Sequence, residues 1–230
     1  GFIVFGIVYG FGPLNVTNDK WIMSGYDEQD IIQHYAGWCA FRNSAWHFPI
    51  GLADGMGGGT YISFTDSIPW VAVLFKLILQ AVNYDGTFQY FGIYALLCYI
   101  LQSVATGLLI RRKTTNHFII CACMLLLCFT PILMERSIRH TALGSQWLIL
   151  IAMYAYLKFM DRGFKGFPIA FSILSLLAVG IHPYFLPLVL VFSFLAMLAS
   201  LYRRINPIRN FWAFVWSIVL PVVGGRVLGA

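Results

Sequence analysis

The sequence predicts an all-α integral membrane protein that crosses the bilayer about seven times. Three observations carry this. The 230 residues are 60% hydrophobic and only 10% charged, whereas a soluble domain carries roughly 25% charged residues. So few charges cannot cover a soluble surface. Mean hydropathy is +0.77. Basic residues gather at the ends of apolar runs, as in Arg111-Arg112-Lys113 and Arg203-Arg204, where they report topology. The net charge of +6 is therefore a topology signal and not a nucleic-acid surface.

Taken in order, residues 2–12 (FIVFGIVYGFG) fall short of the ~20 apolar residues that span a ~30 Å core, and read as the outer end of a first helix. Residues 13–87 form a long outer-face loop with juxtamembrane helices. Within it, residues 67–82 (SIPWVAVLFKLILQAV) are short and carry Lys76. A full span here would put Arg111–Lys113 outside, so this segment is an amphipathic helix on or dipping into the outer surface. Residues 88–110 span inward to the basic triplet. Residues 117–133 return outward, 143–159 go in towards Lys158, Arg162 and Lys165, and 167–181 come out to His182-Pro183-Tyr184. Residues 185–202 go in to Arg203-Arg204, and 211–223 go out. The chain opens without Met and ends at Gly229-Ala230 just past an apolar run. It reads as a single transmembrane domain, residues 1–230, cut from a longer protein at both ends; without a basic n-region the opening run is not a signal peptide.

On this topology Asp19, Asp27, Glu28, Asp30, Asp54, Asp66, Asp85 and Glu135 fall outside and only Asp161 inside. Acids do not drive insertion, so a face rich in carboxylates is the face expected to do chemistry. The five cysteines form neither a disulfide framework nor a paired zinc motif and read as small apolar residues. Gly57-Gly58-Gly59 lacks the following Lys-Ser/Thr of a phosphate-cradling loop. Trp21, Trp38, Trp46 and Trp70 read as interfacial belt residues.

The stretch GYDEQDIIQHYAGWCAFRNSAW, residues 25–46, holds the first chemical candidates. Asp27 or Ser24 caps a helix over about residues 28–43, on which Asp30 and His34 share one face at i, i+4 and Ile31, Tyr35, Trp38 and Cys39 form an apolar stripe. A carboxylate of Asp27, Glu28 or Asp30 there can take a proton from an acceptor hydroxyl or hold a divalent cation such as Mg2+ or Mn2+; the alternative is a solvated acidic helix start that favours the dipole. Asp66, in Thr65-Asp66-Ser67-Ile68-Pro69, reads by default as an N-cap with Pro in the first turn, with cation binding as the minority role. Glu135, Arg136, Arg139 and His140 form a polar cluster at an outer helix end. Arg136 and Arg139 at i, i+3 suit a phosphate clamp, against which stands an ion-pair network with Glu135. His182, before Pro183, is structural by default.

The motif D-x-x-Q-H-x-x-G-W-x-x-F-R-N-S-x-W (Asp30, Gln33, His34, Gly37, Trp38, Phe41, Arg42, Asn43, Ser44, Trp46) continues into F-P-I-G (48–51), T-D-S-I-P (65–69), R-H-T-A-L (139–143) with Trp147, and H-P-Y (182–184). Together with Asp27-Glu28 after a first helix, this pattern resembles the membrane-embedded GT-C glycosyltransferases, and more closely an uncharacterised bacterial multi-pass family allied to them. The resemblance implies an inverting transfer of a sugar from a polyprenyl-phosphate donor to a glycan, lipid or protein acceptor, on the periplasmic or extracellular face of the bacterial inner (plasma) membrane. It implies that Asp30, or Asp27 on the competing alignment, is base or cation ligand. The basic cluster would hold the lipid phosphate, and His34, Arg42, Asp66, Glu135, Arg136, Arg139, His140 and His182 would line the substrate site. Asp30 is preferred because its flanking match is longer. Two other readings stand beside the transferase: a transporter or flippase of lipid-linked sugars, for which only Gln102, Ser103, Thr106, Ser172 and Ser175 offer polarity along a path between the faces, and a non-catalytic envelope assembly subunit.

Overall fold

The computed structural model describes residues 1–24, 29–54, 59–163 and 169–229. Asp27, Glu28, Gly57, Gly58 and Lys165, singled out above, lie outside them. Among the described residues the regular secondary structure is helical apart from one small pair of strands.

Helix α1 (Phe2–Tyr9) lies against the first half of the long α5. The loop that follows holds α2 (Lys20–Met23), α3 (Gln29–Asn43), the two-residue strands β1 (Leu52–Ala53) and β2 (Thr60–Tyr61), paired antiparallel with Leu52 opposite Tyr61, and α4 (Pro69–Ala81). The bundle comprises α5 (Phe91–Ile110), α6 (His117–Cys128), α7 (Pro131–Arg139), α8 (Trp147–Asp161), α9 (Ile169–Ile181), α10 (Phe185–Tyr202) and α11 (Pro207–Leu228).

Four segments among the described residues are long and apolar enough to cross a membrane: Phe91–Ile110, Thr141–Asp161, Phe185–Tyr202 and Pro207–Leu228. The α6–α7 pair raises this to five if it is one broken span. The expected single run over residues 117–133 is interrupted because Pro131 cannot continue a helix. The residue before it is pushed out of the helical region, and Thr130 is extended (φ −63°, ψ 131°). The two halves meet at 49°. Upstream, the Asn116 side chain caps α6 by accepting from the Phe118 and Ile119 amides.

The bundle has two unlike ends. Helices α5 and α8 run parallel. Tyr94 Oη and Ser145 Oγ meet at 2.6 Å at their N-terminal ends, and Arg112 pairs with Asp161 at their C-terminal ends. At 1.5 Å per residue, the 20 residues of α5 separate these ends by ~30 Å. The basic residues Arg111–Lys113 and Arg203-Arg204 follow the C-termini of α5 and α10. The other end carries the loop of residues 13–87, which is fastened to α11 where the Ile50 amide donates to Val227 O (2.8 Å). The main core, with Trp38, Phe41, Ile68, Tyr90 and Phe91 all fully buried, lies beneath that loop.

Helix α4 packs against α9, and Trp70 Nε1 donates to Leu176 O at 2.8 Å. Its Leu74, Leu77 and Ile78 stay exposed, while Lys76 turns inward over the rings of Phe41 (4.2 Å) and Trp46 (4.3 Å). Trp38 is not a belt residue: it is buried and donates to Phe88 O at 2.8 Å. Cys39 lies on α3, half-buried, and Cys121 is exposed on α6, while Cys98 and Cys128 are buried as expected.

Candidate functional site

Helix α3 buries Ile31, His34, Tyr35, Gly37, Trp38 and Phe41, the i, i+3, i+4, i+7 stripe of a helix packed on one side. His34 belongs to that stripe and is 1% exposed. Asp30, one turn earlier, is exposed.

The second contribution is the turn Thr65-Asp66-Ser67-Ile68. Asp66 (φ 55°) and Ile68 (φ 52°) are both left-handed, which is costly for a β-branched residue. A hydrogen-bonded frame holds them. Thr65 Oγ1 meets Ser67 Oγ at 2.7 Å, Ser67 Oγ donates to His34 O at 2.6 Å, and Tyr90 Oη donates to Ser67 O. The turn therefore sits directly on α3, and Gly37 makes this approach feasible: a Cβ there would lie 2.3 Å from Thr65 Cβ and Oγ1. Strain of this kind collects at functional sites. The expected capping role of Asp66 does not hold. The N-cap of α4 is Ile68 and no side chain caps it, because the left-handed turn carries the Asp66 carboxylate away from the helix and towards three histidines.

Those histidines come from three separate elements: α3, the C-terminus of α7 and the C-terminus of α9. His182 Nε2 lies 3.2 Å from Asp66 Oδ1, and His140 Nε2 lies 3.6 Å from Asp66 Oδ2. The His34 and His140 rings meet edge-on at 4.5 Å between centroids, and those of His140 and His182 lie 5.5 Å apart. The Tyr184 amide donates to His182 Nδ1 at 3.2 Å. The His182 proton is thus on Nε2, from which it is donated to Asp66. Nδ1 of His34 and of His140 are both buried without a hydrogen-bond partner. One donor atom from each of His34, Asp66 and His140 lies within 4.8 Å of the others.

The electrostatics follow from burial and this crowding. Burial lowers the His34 pKa to about 4, helped by the neighbouring His140 and opposed by Asp66 and Asp30. Burial also lowers that of His140, against the pull of Asp66. Burial raises Asp66, but the His182 hydrogen bond and the three histidines outweigh it and leave the carboxyl below its usual range. At neutral pH His34 and His140 are therefore neutral imidazoles beside the Asp66 carboxylate. Asp30 acts on it through space, since its charge is felt at both His34 and His140.

Of the expected site residues, His34, Asp66, His140 and His182 converge, with Asp30 beside them. Arg42 does not join them. It lies two turns further along α3 and donates to Gly86 O (2.7 Å) and Tyr84 O (2.6 Å). There it borders a separate open cavity of about 350 Å³ with Lys76 and Asp85. Glu135, Arg136 and Arg139 are exposed on α7, just before His140, and Glu135 and Arg139 approach to 3.4 Å. Glu135 and Arg139 also edge an open groove between α1 and α7, about 580 Å³, walled by Val8, Tyr9, Met134 and Ile138. Of the frame residues, Tyr90 is absent from the expected set, and Ser67 and Tyr184 enter it only inside motifs, since a hydroxyl or amide that orients another side chain has no sequence signature. The T-D-S-I-P and H-P-Y motifs were the available signal.

Searches among curated proteins and among solved structures return no match. A family model described as Domain of unknown function (DUF6311) matches residues 1–230, so the chain belongs to the DUF6311 family.

Proposed function

We propose that this protein is a membrane-embedded glycosyltransferase of GT-C type, which transfers a sugar from a polyprenyl-phosphate donor to an acceptor on the outer face of the bacterial plasma membrane. The observation that carries the reading is the cluster of His34, Asp66, His140 and His182, with Asp30 one helical turn from His34, at the end of the bundle away from Arg111–Lys113. By the positive-inside rule the basic end is cytoplasmic, so the cluster faces outward. On this topology α5, the α6–α7 pair, α8, α9, α10 and α11 are six crossings, α1 is the outer end of a seventh, and the loop between α1 and α5 roofs the outer end.

In the proposed reaction the acceptor hydroxyl gives its proton to Asp30, the exposed carboxylate of the site. The hydroxyl oxygen forms the new bond to the anomeric carbon, the bond from that carbon to the phosphate oxygen breaks, and polyprenyl phosphate leaves. Arg136 and Arg139, exposed on α7 shortly before His140, are the cations that would meet the departing phosphate, Arg139 while paired with Glu135. The apolar groove beside Arg139 suits the isoprenoid tail.

The test is transfer in liposomes carrying a labelled undecaprenyl-phosphate sugar. Asp30→Asn should slow loss of label from the lipid by about 10²–10⁴-fold, the range for general acid–base groups. An unchanged rate would remove Asp30 from the mechanism. Label that stays on the lipid but changes leaflet would make the protein a flippase.

A further inference from the structure

We propose that His34, Asp66 and His140 bind a Zn2+ ion with one coordination position open, and that His182 is a positioning residue that orients the Asp66 carboxylate. The proposal stands on ligand geometry and is independent of what the protein transfers.

The donors already approach the required arrangement. Zinc binds nitrogen and carboxylate oxygen at ~2.0–2.2 Å with tetrahedral angles, which sets ligand atoms roughly 3.4 Å apart. His140 Nε2 and Asp66 Oδ2 are 3.6 Å apart, and all three donors fall within 4.8 Å of one another. Small side-chain rotations close the remainder. The cluster also carries an unmet demand. His34 is 1% exposed and its Nδ1 has no partner, nor does the buried Nδ1 of His140. Buried polar atoms without partners are rare. A cation bound through the bare Nδ1 of His34 would meet the demand there, while at His140 it would take Nε2, the nitrogen that faces Asp66 Oδ2, and leave the proton on Nδ1.

The donor set favours a first-row transition metal over Mg2+ and Ca2+, and zinc is the one proposed. Two imidazoles and one carboxylate suit zinc, whereas Mg2+ and Ca2+ prefer oxygen donors in larger coordination shells. Along the first-row series zinc also outcompetes Mn2+ at such a site. His182 cannot be a ligand in this arrangement: its Nδ1 accepts the Tyr184 amide at 3.2 Å, and its Nε2 proton goes to Asp66 Oδ1 at 3.2 Å. This is the hydrogen bond by which an outer residue fixes a ligand. It leaves Oδ2 for the ion. Three protein ligands with an open fourth position are the mark of a reactive zinc rather than a structural one.

The experiment uses the protein purified in detergent without a polyhistidine tag, stripped with chelator and titrated with Zn2+ against a chromophoric chelator, with bound metal counted by mass spectrometry. One zinc per chain is expected, and millimolar Mg2+ should not displace it. His34→Ala and His140→Ala should each abolish stoichiometric binding. His182→Ala should keep the stoichiometry and weaken affinity 10–100-fold, while His47→Ala, at the separate exposed His47–Asp54 pair, should change nothing. Because a variant can lose zinc by misfolding, Co2+ is added to the unmodified protein as well. Visible ligand-field bands of a low-coordinate nitrogen–oxygen site are expected, and zinc should abolish them. Substoichiometric zinc on the unmodified protein, zinc retained by His34→Ala, zinc lost with His47→Ala, or absent Co2+ bands would each overturn the proposal.

Discussion

Replacing Gly37 with alanine should push the Asp66 turn off α3. The added Cβ would lie 2.3 Å from both Thr65 Cβ and Oγ1 and 2.8 Å from Cγ2. Carbon atoms pack at about 3.5–4.0 Å, so helix and turn must separate by roughly 1.2 Å. Thr65 cannot rotate away, because its Cβ is one bond from the backbone and its Oγ1 is tied to Ile62 O (2.9 Å) and Ser67 Oγ (2.7 Å). Overpacking costs about 1–3 kcal/mol, and a clash with so little room to relax belongs in the upper half of that range. Alanine returns ~1 kcal/mol of helix propensity. The net loss is about 1–2 kcal/mol, or ~2–8 °C in Tm for a chain of this size. Separation also breaks the Ser67 bond to His34 O and widens the gap between Asp66 and His34, so zinc affinity should fall at least 10-fold. Thermal unfolding in detergent and the zinc titration read both effects. A Gly37→Ala protein with raised Tm and unchanged zinc affinity would show that propensity alone operates and that α3 does not rest on Thr65.

Gly180→Ala should be more damaging to Tm than Gly37→Ala, since its Cβ would fall 1.9 Å from Trp70 Nε1 and 2.0 Å from Cδ1, and the rigid indole that joins α4 to α9 must leave its Leu176 partner; an equal or smaller Tm loss would refute this packing. Lys76 supplies a pH signature. Burial lowers its pKa to about 8, against the pull of Asp54. Below pH 8 the ammonium is charged in both folded and unfolded chains and the folded state bears its burial. Between pH 8 and the ordinary value of 10.5 the unfolded chain holds more protons, so stability rises with pH. The full shift converts to ~3 kcal/mol; cation–π contacts with Phe41 and Trp46 favour the charged form and reduce the gain to about 1–2 kcal/mol. Chemical denaturation at pH 8 and pH 10.5 should show this rise in the unmodified protein, and Lys76→Met should flatten it; a rise that survives in Lys76→Met would assign it elsewhere.

Composition and local pattern are enough to give the fold class and most of the elements. Too few charges for a soluble surface and apolar runs bounded by basic residues point to helices long and apolar enough to cross a membrane. Local signals set the helices: residues 185–202 and α10 coincide, α3 ends where expected, and Pro69 and Pro131 open helices as proline does. These features are legible because composition, periodicity and proline act within a few residues. The bend at Pro131 was equally local, but the apolar run around it masks the break. Tertiary packing decided which polar residues are neighbours. Asp30 and His34 were paired in the sequence by helical spacing, whereas Asp66 read as a cap, His140 as part of an arginine cluster and His182 as structural. Their meeting depends on a left-handed turn at Asp66, a glycine that lets α3 approach Thr65, and the positions at which α7 and α9 end. Lys76 and Trp38 went inside for the same reason: a side chain's surroundings are set by which helices pack on it. The chemistry of each residue is local, but a binding centre is made by contacts between segments distant in the chain, and those exist only once the bundle has packed.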